Sequence, residues 1–227
     1  MSTRNFEEIF QKSPLKEVAY EIRFPVNLSI EGEIYKFHEK IKKELPNFQE
    51  GEILGTKIRI REFEKKDEIK LRVSRNSFIV LTEKYNSFKK FFPLIKKYTD
   101  TFVSTYDLNE INRIGLRYIN NINLGDNPND FLRKYFIPMY NDEIISANSI
   151  KNFMIEIRMK RNDHYLTDRS GVVLSPEKEN IYILDFDAYY EENTEKEKIY
   201  DILEVLHNEV RKEFHSYIKD EYLDLMR

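Results

Sequence analysis

Two segments 111 residues apart carry the same apolar stripe. Phe88, Phe91, Phe92, Ile95, Thr99, Val103 and Tyr106 fall, position by position, on Ile199, Ile202, Leu203, Leu206, Val210, Phe214 and Tyr217. Spacings of mostly three and four residues put each set on one face of a long helix. Earlier segments correspond as well. Ile22-Arg23-Phe24 matches Leu116-Arg117-Tyr118 at an offset of 94, and Ile58-Arg59-Ile60-Arg61 matches Ile155-Glu156-Ile157-Arg158 at an offset of 97. Offsets that grow along the chain are what longer loops in a second copy produce. The shared order of elements, more than any single match, indicates an internal duplication.

Period-two alternation fills the space between the helices. Val18, Tyr20, Ile22 and Phe24 alternate with Ala19, Glu21 and Arg23; Ile69, Leu71 and Val73 alternate with Lys70, Arg72 and Ser74. Ser29 is placed to cap a helix carrying Ile34, Phe37, Ile41 and Leu45, which Pro46 ends, and Asn127-Pro128 starts another. Further strands are expected at Lys57–Arg61, Phe78–Lys84, Ile111–Ile122, Phe153–Lys160 and Ile181–Tyr189, with a weaker one over Tyr165–Leu174 that Gly171 breaks. Each strand has one apolar and one polar face, so a sheet built from them is covered on one side only. The expected fold is α+β: two tandem β-α-β-β-β-α repeats, residues 13–108 and 109–227, in a single domain. They would join edge to edge in one twisted, largely antiparallel sheet of about eight strands, with the helices on one face.

That arrangement leaves a polar sheet face, and strand parity gives its members. They are Glu21, Arg23, Lys57, Arg59, Arg61, Lys70, Arg72, Arg113, Arg117, Glu156, Arg158, Lys160, Asp185 and Asp187. Half of the chain's 14 arginines are in this set. Arginine suits bidentate capture of carboxylate or phosphate. Three readings are open: cross-strand ion-pair ladders, a protein-docking face, or an anion and nucleic-acid surface. The net charge of −3 lacks the bulk basicity common in nucleic-acid binders.

Other chemistry is sparse. Asp185 and Asp187 lie on one strand face about 7 Å apart, a spacing usable by a hard metal ion and ordinary in an exposed strand. His38, His164, His207 and His215 make no zinc-binding spacing. Surface or capping roles are expected for His207 and His215. His164, with Asp163, Asp168 and Arg169, reads as a polar turn. There is no nucleophile elbow and no Gly-rich phosphate loop. No cysteine is present, which removes disulfides, thiolate metal sites and a cysteine nucleophile. No cofactor or metal is expected. A polar stretch from Met1 to Lys12 and the absence of a long apolar run lead to a cytoplasmic expectation with no membrane partner.

Four segments carry a resemblance. They are Ser13-Pro14-Leu15-Lys16-Glu17-Val18-Ala19-Tyr20-Glu21-Ile22-Arg23-Phe24, Arg113-Ile114-Gly115-Leu116-Arg117-Tyr118-Ile119-Asn120, Leu184-Asp185-Phe186-Asp187, and Leu206-His207 through Phe214 to Asp220-Glu221-Tyr222. In this order and spacing the chain resembles a sporadically distributed family of uncharacterised prokaryotic proteins of about this length, the Gly-Leu-Arg-Tyr-x-Asn segment being the most specific part. The resemblance implies no activity. A patchy distribution implies horizontally moved genes of the phage-defence or toxin–antitoxin kind. At fold level the repeat also resembles the saddle of the TATA-box-binding protein, each half being one strand short. The function expected is a non-enzymatic interaction protein acting with a protein partner, self-association being open. The alternatives are a nucleic-acid binder using the Arg-rich face and a metal-dependent hydrolase using Asp185 and Asp187.

Overall fold

The computed structural model of the chain describes residues 10–52, 55, 58–137, 152–175, 177 and 179–227. The elements run β1 (Leu15–Arg23), α1 (Ser29–Ile41), β2 (Asn47–Glu52), β3 (Arg59–Lys65), β4 (Ile69–Val73), β5 (Ser77–Thr82) and α2 (Phe88–Tyr106). They continue with β6 (Glu110–Ile111), β7 (Arg113–Asn123), α3 (Pro128–Tyr135), β8 (Phe153–Arg161), β9 (His164–Leu174), β10 (Asn180–Tyr190), β11 (Thr194–Glu195), α4 (Ile199–Tyr217) and α5 (Asp220–Met226). The polar stretch 1–9 and Lys57 lie outside the described residues.

The fold is α+β. Nine strands form one open sheet in the order β2-β3-β4-β5-β1-β7-β10-β9-β8, and every neighbouring pair is antiparallel. The order β3-β4-β5-β1 on one side of the centre recurs in mirror sense as β7-β10-β9-β8. β1 and β7 form the seam, with Tyr20 opposite Leu116 and Ile22 opposite Ile114. β2 adds a strand beyond the expected set. Its sequence, Asn-Phe-Gln-Glu-Gly-Glu, has no apolar alternation, and it is exposed along its length. β6 and β11 pair separately as a short ribbon.

The core lies on the helix side of the sheet. Val18, Tyr20, Ile22, Leu71, Val73, Phe78, Val80, Ile114, Leu116, Leu184 and Phe186 are buried there. α2 packs on the first half, where Phe102 stacks on Phe78 at 4.4 Å between ring centroids. α4 packs on the second, where Tyr217 meets Phe186 at 5.4 Å. Phe78 pairs across with Ile22, and Phe186 with Tyr118, so both long helices cover the same face. Phe37 of α1 completes the first cluster, 5.8 Å from Phe63, 5.9 Å from Phe78 and 5.3 Å from Phe102. Burial at about 25 cal/mol per Å² is the main force holding these layers together. Among the described residues no helix is long and apolar enough to cross a membrane.

Local signals work as their chemistry dictates, with shifts of a residue or two. Ser29 opens α1 rather than capping it: Leu28 stands at the cap, and Asn27 before it makes a side-chain turn whose Oδ1 accepts from the Ser29 N–H at 3.0 Å and from the Ser29 hydroxyl at 2.6 Å. Ser87 caps α2, accepting from the Lys90 N–H at 3.3 Å. Pro93 is carried inside that helix, and Asp107 closes it in the left-handed region at φ 49°. Tyr222, Leu223 and Met226 anchor α5 in the core.

Gly171 does not break β9, which runs through it without interruption. A side chain at this position would collide with the Phe153 carbonyl oxygen and lie 2.7 Å from the Met154 Cα, because β8 crosses here at close range. The obstructing atoms are backbone and cannot swing aside. Gly171→Ala should therefore destabilise the protein by about 1–3 kcal/mol, the range for forced overpacking. Urea unfolding checks this, with Gly32→Ala, which meets nothing within 4 Å, as the comparison.

Candidate interaction face of the sheet

Register places the open-face side chains directly. β1 contributes Ala19, Glu21 and Arg23; β7 contributes Arg113, Gly115, Arg117 and Ile119; β10 contributes Ile183, Asp185, Asp187 and Tyr189. β4 adds Lys70 and Arg72, and β8 adds Glu156, Arg158 and Lys160. Of the sequence candidates, Arg23, Arg72, Arg113, Arg117, Arg158, Asp185 and Asp187 share this face.

Arg59 and Arg61 do not. Arg61 pairs across with Val73 and Phe63 with Leu71, so both point to the helix layer, and Arg61 is only 4 % exposed. Arg59 shares the phase of Arg61. The Ile58/Ile60 alternation gave the opposite phase, but those residues are only half-buried, whereas Phe63 is fully buried and sets the strand's orientation. The Arg61 guanidinium ends beside Glu50, 3.2 Å from Nε, and donates to the Glu31 carbonyl at 3.4 Å. In their place β3 turns Glu62 and Glu64 to the open face.

The face is a lattice of ion pairs. Arg113, 8 % exposed, donates to Glu21 on β1 at 2.5 Å and to both Asp187 oxygens on β10 at 3.2 and 3.0 Å. Its guanidinium lies 4.5 Å from the centre of the Tyr189 ring. It also occupies the space over Gly115, where a Cβ would fall 3.0 Å from Cζ and collide with Nη1. Arg117 grips Asp185 with two parallel bonds of 2.7 and 2.6 Å. Arg169 of β9 reaches Glu156 at 2.6 Å and Asp185 at 3.6 Å. Arg23 meets Glu21 at 3.1 Å, Arg72 meets Glu62 at 3.3 Å and Arg158 meets Glu191 at 2.8 Å. Every arginine on the face thus has a carboxylate within ion-pair distance.

Titration follows from these contacts. The hydrogen bond to Asp185 raises the Arg117 pKa. Burial pushes the Asp187 carboxyl above its usual range, although Arg113 and Arg117 pull it down. Both oxygens of Asp185 and of Asp187 are occupied by guanidinium groups, and among the described residues no three His, Asp or Glu side chains converge as a metal-binding set.

Two polar groupings lie on the helix side. A cleft of about 750 Å³ opens between the start of α2 and α4, lined in part by Ser13, Asn86, Phe88, Asn120, Phe186 and Arg211. In its wall the Tyr85 and Tyr118 hydroxyls lie 2.8 Å apart, and the Tyr118 hydroxyl is 2.9 Å from His207 Nδ1. Phe88 stacks on the His207 ring at 3.8 Å. Burial pushes His207 down to about 3 and Tyr85 up to about 12. His207 and His215 are therefore core residues, 7 % and 4 % exposed, and not the surface or capping groups expected. His164 is also buried, at 7 %.

The second grouping centres on Asp168, 2 % exposed beneath α4. The Tyr217 hydroxyl donates to its Oδ2, and a hydrogen bond from Ser170 partly offsets its burial. Burial raises this carboxyl to about 7, with nearby Glu213 adding to the rise. The partnerships of Tyr118 with His207 and of Asp168 with Tyr217 span 89 and 49 residues, and no local pattern announces either. Arg169 and Tyr165 had a signal, since they share the parity of Gly171 along β9, but the strand was read as broken.

No protein-family model matches the chain, and no curated protein matches it.

Two outcomes follow from these geometries. Arg113→Ala takes both guanidinium bonds from Asp187 and leaves Glu21 with Arg23 alone, in a partly buried site, which costs more than about 1 kcal/mol and at most the roughly 3–5 kcal/mol of a fully buried pair. Arg158→Ala removes a pair whose side chains are 55 % and 41 % exposed, which costs less than about 1 kcal/mol. Chemical denaturation of the two variants measures the contrast. Asp168 gives a pH signature. Its folded pKa is raised, so its stabilising contribution is complete below the unfolded value near 3.8 and is lost as pH rises through about 7. The stability of Asp168→Asn relative to wild type should therefore improve between pH 4 and pH 8, read by thermal melts across that range.

Proposed function

We propose that the chain is a non-enzymatic interaction protein that docks a protein partner on the open face of its sheet. The observation that carries this reading is the pairing of every arginine on a nine-stranded face that no described helix covers. An exposed sheet face held rigid by cross-strand ion pairs presents fixed shape with balanced charge, and balanced charge suits a protein surface of mixed sign. A polyanion needs uncompensated cations, since its affinity comes from neutralising phosphates. Tyr165 and Tyr189, stacked at 5.6 Å, lie beneath the Arg158 guanidinium and help hold it in place on the face. With Asp185 and Asp187 bound to arginines, the hydrolase reading has no free carboxylate pair to rest on. The resemblance noted above adds a setting, a mobile defence or toxin–antitoxin locus in which partner proteins are encoded together.

The test is affinity capture from the native host followed by mass spectrometry, with Arg23→Ala and Arg72→Ala as the comparison. Both side chains are exposed, and each loses an ion pair worth at most about 1 kcal/mol. The double variant should fold normally and release a partner that the wild type retains. Nucleic acid should not bind at low salt. Salt-dependent binding with a log–log slope of about −0.9 per duplex phosphate would replace this reading with the nucleic-acid one.

A further inference from the structure

The two edges of the sheet are built differently. β2 at one end is guarded by Glu50 and Glu52, with Gly51 between them, and like charges along an edge discourage pairing with another chain. β8 at the other end is nine residues long and carries Met154, Ile155 and Ile157 at 46, 36 and 39 % exposure. In the first half β2 covers the outer side of β3. No described strand covers the corresponding side of β8. A long edge strand with apolar residues on both faces is a template for strand addition.

The register of the β8–β9 hairpin decides which backbone groups face outward. Asn162 and Asp163 form a two-residue turn between Arg161 and His164, which oppose each other. In such a hairpin the residues flanking the turn exchange hydrogen bonds, and the pattern alternates from there. Phe153, Ile155, Ile157, Met159 and Arg161 therefore direct their N–H and C=O groups to β9. Met154, Glu156, Arg158 and Lys160 direct theirs to the open edge.

We propose that a second copy of this chain occupies that edge, its β8 pairing antiparallel with β8 about a two-fold axis at Ile157. With this centre, Glu156 lies opposite Arg158 of the second copy, and Arg158 opposite its Glu156. Met154 lies opposite Lys160, Ile155 opposite Met159, and Ile157 opposite Ile157. The outward-directed backbone groups meet one another, and Ile157 takes a position without hydrogen bonds, where Cα atoms approach to about 4.5 Å and side chains pack closest. Shifting the axis by one residue puts Glu156 opposite Glu156 or Arg158 opposite Arg158. Like charges directly opposite are destabilising. The charge order of β8 thus favours this register over the two that place Glu156 or Arg158 opposite itself. Glu156 and Arg158 remain 59 % and 55 % exposed in their existing ion pairs, which leaves room for the new partner to extend the lattice. This interface uses the sheet edge, so it stands or falls independently of docking on the open face.

Equilibrium sedimentation of the full-length chain should give twice the monomer mass at micromolar concentration. Ile157→Lys sets two ammonium groups against each other at the axis and should weaken the dimer about a hundredfold, some 2.7 kcal/mol by the tenfold-per-1.4 kcal/mol rule. Its circular dichroism should match wild type, since the side chain is exposed. The chain has no cysteine, so Ile157→Cys supplies a sole thiol at the axis. Mild oxidation should convert this variant to a covalent dimer, while Phe48→Cys on the opposite edge should stay monomeric on a denaturing gel. A wild type that is monomeric at every concentration overturns the proposal. So does an Ile157→Lys variant that dimerises as tightly as wild type, or cross-linking as efficient through position 48 as through position 157.

Discussion

The structure depends on the antiparallel pairing of β1 with β7. These strands join two halves that would otherwise each expose a sheet edge, and they align two apolar surfaces so that α2 and α4 cover one continuous face. The seam is fastened on the opposite face by Arg113, which holds Glu21 across one strand boundary and Asp187 across the next. Burying a guanidinium is costly unless both its partners and its packing are supplied. Here two carboxylates supply the charge, the Tyr189 ring supplies a flat surface and Gly115 supplies the space. Each residue of the Gly-Leu-Arg-Tyr segment has a separate task in this arrangement. The glycine admits Arg113, Leu116 fills the core, Arg117 binds Asp185 and Tyr118 reaches His207.

One-sided coverage of the sheet divides the polar chemistry in two. On the open face, each arginine is matched by a carboxylate, and Arg113 and Arg117 pull the Asp187 carboxyl down against the burial that raises it. Under the helices, dehydration is the largest effect on His207 and Asp168, with Arg211 and Glu213 adding to it, and it drives the histidine down to about 3 and the carboxyl up to about 7. Both shifts favour the neutral form. Burial pushes carboxyls toward the neutral form on both faces, and on the open face the arginines oppose it.

Much of this was legible in the sequence, for reasons that can be given element by element. The long helices were readable because Phe88–Tyr106 and Ile199–Tyr217 keep the helical period for their full lengths. The faces of β1, β4, β7, β8 and β10 were readable because their apolar and charged residues alternate cleanly. β3 was misphased because Ile58 and Ile60 sit at its lightly buried start, while Phe63, which sets the phase, lay past the segment considered. β2 was invisible because an edge strand exposed on all sides needs no apolar alternation. The Tyr85–Tyr118–His207 chain was out of reach, since only the fold brings those residues together. Of the expected binding face, the β7 and β10 residues were correctly grouped. Their mutual neutralisation needs only Arg113, Arg117, Glu21, Asp185 and Asp187, whereas the partners Glu62 of Arg72 and Arg169 of Glu156 were not placed by strand parity.

The seam strand has a consequence for how the molecule is made. β1 is made before every other described strand, yet its neighbours are β5, some sixty residues later, and β7, some ninety or more residues later. Contacts of such sequence separation slow folding, because the loop must close before any pairing repays it. While the first half is complete and the second is still being synthesised, β1 presents Leu15–Arg23 as a bare edge with one face already hydrophobic. That interval is the chain's period of greatest exposure to misassembly. It ends only when Arg113 arrives and closes on Glu21, so the residue that fastens the finished seam also marks the end of the vulnerable interval.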